Sequence, residues 1–230
     1  MRYTLAVLSF FGLFQATQLT AQNGPVVIEL FTSQGCSSCP PADAMLHELA
    51  KRDDVIALAL HVDYWDYIGW KDVFGRPENT ARQHAYAYEA NATTVYTPQM
   101  IIGGVDHVIG SRPLQVMDAI QSRKRQANPV DVTLTRSGNN VMINAAPSTR
   151  GDYLVQLVRY TPQETVAIGR GENAGLNLSY AHIVKSWDVI GRWDGRTALA
   201  LETNAAGSEP VVVIVQQASH GPIVGAAELR

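Results

Sequence analysis

Two cysteines spaced C-x-x-C separate an apolar run from an amphipathic run, and this order constrains the fold more than any other feature. They are Cys36 and Cys39, the only cysteines among 230 residues. The apolar run Val26 to Leu30 precedes them, and the run Ala42 to Ala50 follows with apolar residues at helical spacing. A strand, a loop with two close thiols and a helix, in that order, are typical of a thiol redox site.

The segments after this motif predict an α/β first half and a second half made of strands. Val55 to Val62 is apolar enough for a buried strand, which completes a β-α-β unit. Further elements of the first half are a helix, a hairpin and a closing helix: Pro77 to Asn91, Gln99 to Ile102 with Asp106 to Ile109, and Ser111 to Arg125. Later strands are expected at Val130 to Arg136, Val141 to Ala145, Tyr153 to Tyr160, His182 to Ile190, Thr197 to Glu202 and Val211 to Gln216. We therefore expect an α/β domain over residues 24–127 and an antiparallel, β-sandwich-like second domain over residues 128–230.

The first residues have the layout of a secretory signal. Met1 and Arg2 are followed by an apolar stretch from Tyr3 to Phe14 and by a segment that ends in the small residue Ala21. About a dozen apolar residues fall short of the roughly 20 that cross a bilayer, so no stable membrane anchor is expected. This pattern predicts a signal peptide over residues 1–21 and an exported protein, periplasmic or secreted. An uncleaved anchor is the alternative.

The charge content argues against a nucleic-acid partner. The formal net charge is -3, only 17% of residues are charged, and the sequence has no basic stripe that could neutralise phosphates. Export to an oxidising compartment would also let a C-x-x-C pair rest as a disulfide, whereas a cytosolic pair would be kept reduced.

Two stretches carry a resemblance to a known family. The sequence E-L-F-T-S-Q-G-C-S-S-C-P-P-A-D, which begins at Glu29, together with Y-T-P-Q-M, which begins at Tyr96, resembles a family of exported thioredoxin-like proteins catalogued as a domain of unknown function. The resemblance covers nearly the whole chain after the signal. It implies an α/β thioredoxin-like domain and thiol-disulfide exchange with protein or peptide thiols and a redox partner, without a cofactor. It implies no particular substrate.

The same resemblance implies roles for individual residues. Cys36 would be the exposed nucleophile, Cys39 the buried resolving thiol, and the two would form a disulfide. Pro98 would be a cis-proline beside that disulfide, and the Thr97 backbone would pair with an extended substrate peptide. Glu29 lies near the position where some thioredoxins keep a buried acid. The Ser-Ser dipeptide between the cysteines differs from that of thioredoxins, so the direction of the redox reaction is not implied.

Several functional assignments have a structural alternative. Glu29 would move the proton of Cys39 if burial raised its pKa, or would simply be a salt-bridged carboxylate. Tyr64 and Trp65 belong to an aromatic cluster, with Tyr67, Trp70 and Phe74, that would line a substrate groove or cap the core. The segment Gly169 to Asn177 would be a loop that reaches the redox site or a solvated turn.

Two other classes of function remain open. The cysteines and one or two of the histidines would hold a cuprous ion or, at a less suitable spacing, zinc; the histidines are His47, His61, His84, His107, His182 and His220. A secreted binding protein would use the disulfide only as a staple, although a bond that closes so short a loop adds little stability. The principal prediction is an oxidoreductase without a metal site.

Overall fold

The computed structural model describes residues 24–126 and 129–230. The predicted signal peptide lies outside the described residues, and so does the predicted domain boundary between residues 127 and 128. The strands of the first half are β1 Val26–Thr32, β2 Val55–His61, β3 Gln99–Ile102 and β4 Asp106–Ile109. Its helices are α1 Pro40–Leu49, α2 Pro77–Glu89 and α3 Pro113–Arg125, with a short 3-10 helix at Asp66–Ile68. None of the described helices has the length and apolar character needed to cross a membrane.

The described residues of the second half, 129–230, form seven strands. They are β5 Val132–Ser137, β6 Asn140–Ala145, β7 Tyr153–Ala167, β8 Asn177–Trp193, β9 Leu199–Asn204, β10 Val211–Gln217 and β11 Ile223–Leu229. Four of these strands continue the sheet of the first half, in the order β11-β10-β7-β8-β2-β1-β3-β4. The other three form an antiparallel sheet in the order β5-β6-β9. The fold is therefore mixed α/β, with one large mixed sheet and a second antiparallel sheet.

The central strands β1 and β2 are buried on both faces, as their apolar sequences predict. They run parallel, and β3 pairs with β1 in the antiparallel direction. On one face Ile28 and Leu30 pack against α1 and α3. On the other face Val27 and Phe31 pack with Tyr86 of α2 and with residues of β7 and β10. The second half of the chain thus contributes to the core beneath β1.

The prediction of a self-contained sandwich in the second half is only partly right. The small sheet does pack face to face on β7, β10 and β11, through Val141 and Ile143 on one side and Val155 and Val213 on the other. However, β8 pairs in parallel with β2, so the same large sheet spans both halves of the chain. Local sequence patterns do not specify such long-range strand pairing. The division into two domains stays a prediction.

Strands β7 and β8 form a hairpin much longer than the sequence predicts. The expected strands ended at Tyr160 and began at His182, whereas the observed pairing continues to Ala167 and Asn177. The added residues are mostly exposed or half-buried and polar, and their sequence lacks the apolar alternation that predicts a strand. The hairpin carries the connecting loop, residues 168–176, to the C-x-x-C segment; we call it the hairpin loop.

Candidate active site

The two cysteines form a disulfide at the amino-terminal end of α1. Their Cα atoms are 5.4 Å apart. Cys39 immediately precedes the first helical residue, Pro40, and its carbonyl oxygen accepts hydrogen bonds from the N–H groups of Ala42 and Asp43. Proline is tolerated at a helix start because the N–H that it lacks has no partner there anyway. The sequence therefore fixes the helix start next to the predicted disulfide.

Two features of this helix end would favour a negative charge on the Cys36 sulfur once the disulfide is reduced. The first is the positive end of the helix dipole, which stabilises an anion by roughly 0.3–1 kcal/mol at an exposed site. The second is the Ser38 hydroxyl, whose oxygen lies 3.4 Å from Cys36 Sγ. Both effects are modest, so they predict a moderately acidic thiol.

Cys36 is buried, which corrects the expectation of an exposed nucleophile. Only 2% of its surface is exposed, and Cys39 is fully buried. Ser37 and Ser38, which lie between the two cysteines, are exposed. Two loops distant in sequence pack over the segment that precedes Cys36. A local motif does not indicate such a cover.

The first covering segment is the loop between β2 and α2, residues 62–76. It packs directly on Gly35, where an added Cβ would lie 3.2 Å from both the Trp65 Cβ and the Ile68 Cδ1. The Trp70 indole N–H donates a hydrogen bond of 2.8 Å to Gln34 Oε1. A side chain at Gly35 would therefore force Trp65 or Ile68 to shift by a few tenths of an ångström.

The second covering segment is the hairpin loop, and the Asn173 side chain holds it to the C-x-x-C segment. This side chain is only 4% exposed, and its Nδ2 donates hydrogen bonds to the carbonyl oxygens of Gln34, at 2.8 Å, and Cys36, at 3.1 Å. The loop also contacts the first covering segment, since a Cβ on Gly171 would lie 3.2 Å from the Trp70 Cβ. Of the two predicted alternatives for this segment, the structure has the loop that reaches the C-x-x-C motif.

Thr97 and Pro98 lie on a third side of the disulfide loop. The bond between them is cis, as the resemblance implies, and Pro98 is buried. The Ser38 hydroxyl lies 3.5 Å from the Thr97 carbonyl oxygen, and the Trp65 indole N–H donates a hydrogen bond of 2.8 Å to Thr97 Oγ1. The structure thus brings together the C-x-x-C loop, the Thr97 segment and the loop after β2.

Tyr64 and Trp65 have partners that hold this loop in place. The Tyr64 hydroxyl donates to Gln83 Oε1 at 3.1 Å, and burial raises the pKa of Tyr64 to about 12. The Trp65 ring stacks on the Tyr67 ring with 6.4 Å between centroids. Tyr67 is 80% exposed. Among these three aromatic residues, Tyr67 therefore offers the largest free surface beside the site.

Glu29 has the salt-bridged arrangement that the sequence left as the alternative to a proton-transfer role. Its carboxylate accepts two hydrogen bonds from the Arg82 guanidinium, at 2.6 and 2.9 Å, and one from the Tyr86 hydroxyl at 2.5 Å. Gln216 of β10 completes this buried group by accepting a bond from Arg82. Glu29 points to the α2 face of β1, whereas Thr32 bonds to α1 on the other face.

A buried acidic cluster that the sequence analysis missed lies on the α1 face. Asp43 is only 5% exposed, and its Oδ1 accepts a hydrogen bond of 2.8 Å from the Thr32 hydroxyl. Nearby, His61 Nδ1 lies 2.8 Å from Asp72 Oδ2, and both side chains are buried. Asp72 also accepts the backbone N–H of Gln34 at 2.8 Å. The cluster is therefore attached to the C-x-x-C loop through both Asp43 and Gln34.

One signal in the sequence indicated Asp43. It lies four residues after Cys39, so a helix places both residues on the same face. It also lies three residues before Leu46, which is part of the apolar face that packs on the sheet. A carboxylic acid at that position is a buried polar group within an otherwise apolar stripe. His61, the polar end of the apolar strand β2, was considered only as a metal ligand.

The cluster contains several buried polar atoms without a hydrogen-bond partner among the described residues. They are Asp43 Oδ2, His61 Nε2, the Tyr180 hydroxyl and Gln34 Nε2. The His61 and Tyr180 rings are in edge contact, with 4.7 Å between centroids. Groups of this kind are rare in folded proteins and are found where a site does chemistry or binds water. Two of these atoms belong to His61 and Tyr180, which interact electrostatically with Asp43.

The pKa values of the two acids in this cluster are shifted in opposite directions. Burial raises the pKa of Asp43 to about 7, although His61 and the Thr32 hydroxyl partly oppose the rise. Burial also acts to raise the pKa of Asp72, but His61 and the backbone N–H groups of Gln34 and Phe74 lower it more, and the net direction is downward. Asp72 is therefore ionised at neutral pH, whereas Asp43 is poised between its two forms.

The described residues contain no group of three or more His, Cys, Asp or Glu side chains placed to hold a metal ion. Both cysteine sulfurs are committed to the disulfide in this structure. Any copper site would therefore first require reduction of the pair, because thiolates are the sulfur ligands that cuprous ion prefers.

The chain is similar to two solved structures to very different degrees. The structure resembles the X-ray structure of protein AGR_C_4864 from Agrobacterium tumefaciens, with a TM-score of 0.79 and 35% identity, over 91% of this chain and 96% of that chain. It matches hypothetical protein PH1083 from Pyrococcus horikoshii OT3 with a TM-score of only 0.22 and 10% identity, over 43% of this chain and 81% of that one. The second likeness is too weak to indicate a shared fold. A comparison with curated proteins gives no match.

The family assignment rests on both sequence and structure. A family described as "Protein of unknown function (DUF1223)" matches residues 27–216, which include the C-x-x-C motif, the Thr97-Pro98 segment and the hairpin loop. The 35% identity to the Agrobacterium tumefaciens protein extends over nearly the whole of both chains. The chain therefore belongs to the family of proteins of unknown function DUF1223.

Proposed function

We propose that this chain is an exported thiol-disulfide oxidoreductase with a thioredoxin-like core, which exchanges disulfides with protein or peptide thiols through Cys36 and Cys39. The observation that carries the proposal is the disulfide at the amino-terminal end of α1, beside the Thr97 segment. The core supports it, since β2-β1-β3-β4 form a mixed sheet with α1 and α3 packed on one face. Export rests on the sequence pattern of residues 1–21.

The exchange needs no cofactor. A substrate thiolate attacks Cys36 Sγ, the Cys36–Cys39 bond breaks, and Cys39 leaves as a thiolate that takes up a proton. A second substrate thiolate then attacks the substrate sulfur of the mixed disulfide and releases Cys36. The substrate gains a disulfide and the protein gains two thiols. The reverse sequence reduces a substrate disulfide.

Access to Cys36 requires movement of a covering segment. Cys36 is buried, and the loop after β2 and the hairpin loop pack on the residues just before it, whereas Ser37 and Ser38 are exposed. Two hydrogen bonds from Asn173 hold the hairpin loop to the backbone around Cys36, so this is the segment whose opening we expect to expose the sulfur. The exchange rate then depends on how often these bonds open.

Burial of the disulfide supports a second candidate function, a secreted binding protein whose disulfide is only a staple. The short loop closed by the disulfide argues against this second candidate. The bonded cysteines are only three positions apart in sequence, and loop-closure entropy gives such a bond little stabilising effect. The two candidates differ in one observable property, which is whether the folded protein exchanges its disulfide with a small thiol.

The deciding experiment traps the mixed disulfide. The full chain with Cys39→Ser, incubated with oxidised glutathione at neutral pH, is expected to form one glutathione adduct at Cys36, detected by mass spectrometry of the intact folded protein. The matched variant Cys36→Ser is expected to react much more slowly, because Cys39 is fully buried behind Cys36. Equal inertness of both variants, with a wild-type disulfide that resists dithiothreitol in the folded state, would support the staple instead.

A further inference from the structure

We propose that Asp43, backed by the His61–Asp72 pair, is the proton acceptor and donor for Cys39 during disulfide exchange. The inference rests on the proposed function and deepens it, because it assigns the proton step to particular side chains. It also moves that step away from Glu29, whose carboxylate is occupied by Arg82 and Tyr86 on the other face of β1.

The position of Asp43 on α1 supplies the geometry. Residues four apart on a helix have Cβ atoms roughly 5–6 Å apart and share a face. Cys39 has helical backbone angles and accepts the Asp43 N–H at 3.1 Å, so this spacing applies to the pair. Both side chains are buried, on the face of α1 that packs against the sheet. A thiol and a carboxylic acid therefore share one sheltered region.

The hydrogen bonds of Asp43 identify the oxygen that carries the proton. Oδ1 accepts the Thr32 hydroxyl, whereas Oδ2 is buried and has no hydrogen-bond partner among the described residues. An unpaired carboxylate oxygen in such a place is costly when ionised but much less so when protonated. Oδ2 is thus the atom that binds and releases a proton, while Thr32 holds the carboxyl group in orientation.

His61 and Asp72 affect the pKa of Asp43 through their charges. His61 Nδ1 is held by the Asp72 carboxylate, which leaves Nε2 as a second buried nitrogen without a partner among the described residues. The charged and titratable groups that face Asp43 are His61 on β2, Asp72 in the loop after β2, and Tyr180 on β8. Burial raises the pKa of Asp43, His61 lowers it and Asp72 raises it further, and the result of about 7 is close to the pH at which exchange would operate.

Proton transfer between Cys39 and Asp43 is balanced both when the internal disulfide forms and when it breaks. When Cys39 resolves a mixed disulfide on Cys36, its thiol gives a proton to Asp43 Oδ2, and the thiolate attacks Cys36 Sγ. The Cys36–Cys39 bond forms, the bond from Cys36 to the substrate sulfur breaks, and the substrate leaves as a thiolate. In the reverse direction the leaving Cys39 thiolate takes the proton from neutral Asp43. The redox partner in each case is a thiol or disulfide of the substrate.

The test separates formation of the mixed disulfide from its resolution. Reduced full-length protein is mixed with oxidised glutathione, quenched with acid at intervals, and analysed by mass spectrometry for the glutathione adduct and the internal disulfide. Asp43→Asn is expected to form the adduct at the wild-type rate but to resolve it about 100-fold more slowly, the lower end of general acid-base effects. The adduct should therefore accumulate in this variant only.

The control is Glu48→Gln, which removes an exposed carboxylate from the same helix and should behave as wild type. If Asp43→Asn resolves its adduct as fast as wild type, the assignment to Asp43 is wrong while the proposed function stands. If the wild-type protein forms no adduct and no internal disulfide, the proposed function itself fails. The two failures are therefore distinguishable.

A measurement on the wild-type protein covers the case in which Asp43→Asn does not fold. Carbon-13 NMR of protein labelled at aspartate side chains should show one carboxyl that titrates near pH 7, and its midpoint should change when the disulfide is reduced, since the thiol lies next to it. No aspartate titrating above about pH 6 in either redox state would overturn the assignment.

Discussion

Glu29 and Asp43 are two buried carboxyl groups whose surroundings give them opposite properties. Glu29 accepts two bonds from Arg82 and one from Tyr86, so its negative charge is fully compensated. Asp43 has the Thr32 hydroxyl and no cation bonded to it among the described residues, so burial favours its neutral form. Loss of one partner from a compensated buried pair destabilises a fold, whereas a carboxyl group with a pKa near 7 is suited to proton transfer.

The first prediction concerns Glu29→Gln. Removal of one partner leaves the Arg82 charge buried and uncompensated, which should lower the free energy of unfolding by about 3–5 kcal/mol. Chemical denaturation measures this loss, with Glu48→Gln as an exposed control that should change it by less than about 0.5 kcal/mol. Below the transition, the folded variant should resolve glutathione adducts at the wild-type rate. A stable variant with slow resolution would instead restore the proton role of Glu29.

The second prediction concerns Asp43→Asn and pH. Burial raises the pKa of Asp43 from 3.8 to about 7, so between these values the folded state keeps a proton that the unfolded state has lost. The free energy of unfolding should therefore fall as pH rises through this window, by about 4 kcal/mol in total, and Asp43→Asn should abolish that fall. Denaturant titrations of both oxidised proteins from pH 4 to pH 8 measure the difference.

Other titrating groups do not obscure this comparison. The lowered pKa of Asp72 adds stability that is lost only as pH falls below about 4. Burial lowers the pKa of His107, His182 and His220, which makes stability rise with pH near 6, but it does so in both proteins. A wild-type and variant difference that is flat with pH would show that Asp43 is ionised throughout.

At the scale of the elements, the sequence predicted the parts with strong local patterns. The helix after the cysteines and the strands β2, β3 and β4 agree with the structure to within about two residues, because apolar periodicity and turn residues determine them locally. The extension of the β7–β8 hairpin was missed, since its strands are polar and exposed. This extension positions Asn173 over Cys36, so the cover of the site could not be predicted either.

The third prediction concerns Asn173→Ala. The side chain makes two hydrogen bonds to the backbone around Cys36, each worth roughly 1 kcal/mol. Their loss should raise the population of the open hairpin loop and speed reduction of the disulfide by dithiothreitol about 10- to 30-fold. The control is Asn177→Ala, an exposed position at the start of β8 that should leave the rate unchanged. An unchanged rate in Asn173→Ala would mean that the loop does not limit access.

At the scale of the whole molecule, one core cluster contains side chains from both halves of the chain. Phe31 and Tyr86 of the first half pack in the same cluster as Ile214 and Ile223 of the second. The turn after β3 also contacts the second half directly, because the Ile223 N–H donates to the Gly103 carbonyl at 3.0 Å. The composition changes near residue 128, which predicts two domains, and these contacts predict that the stability of the two halves is coupled.

The fourth prediction is that the described part of the chain unfolds as one cooperative unit. Ile214→Ala removes a fully buried side chain from β10 and should lower the free energy of unfolding by about 2–5 kcal/mol. Native-state hydrogen exchange, followed by mass spectrometry of peptides, should show the same loss of protection in β1 as in β10, because both strands contribute side chains to the same core cluster. The control, Met142→Ala on the exposed side of β6, should have little effect on either strand. If β10 lost protection while β1 kept its own, the first half would be a separate folding unit, and the disulfide site would not depend on the second half for its stability.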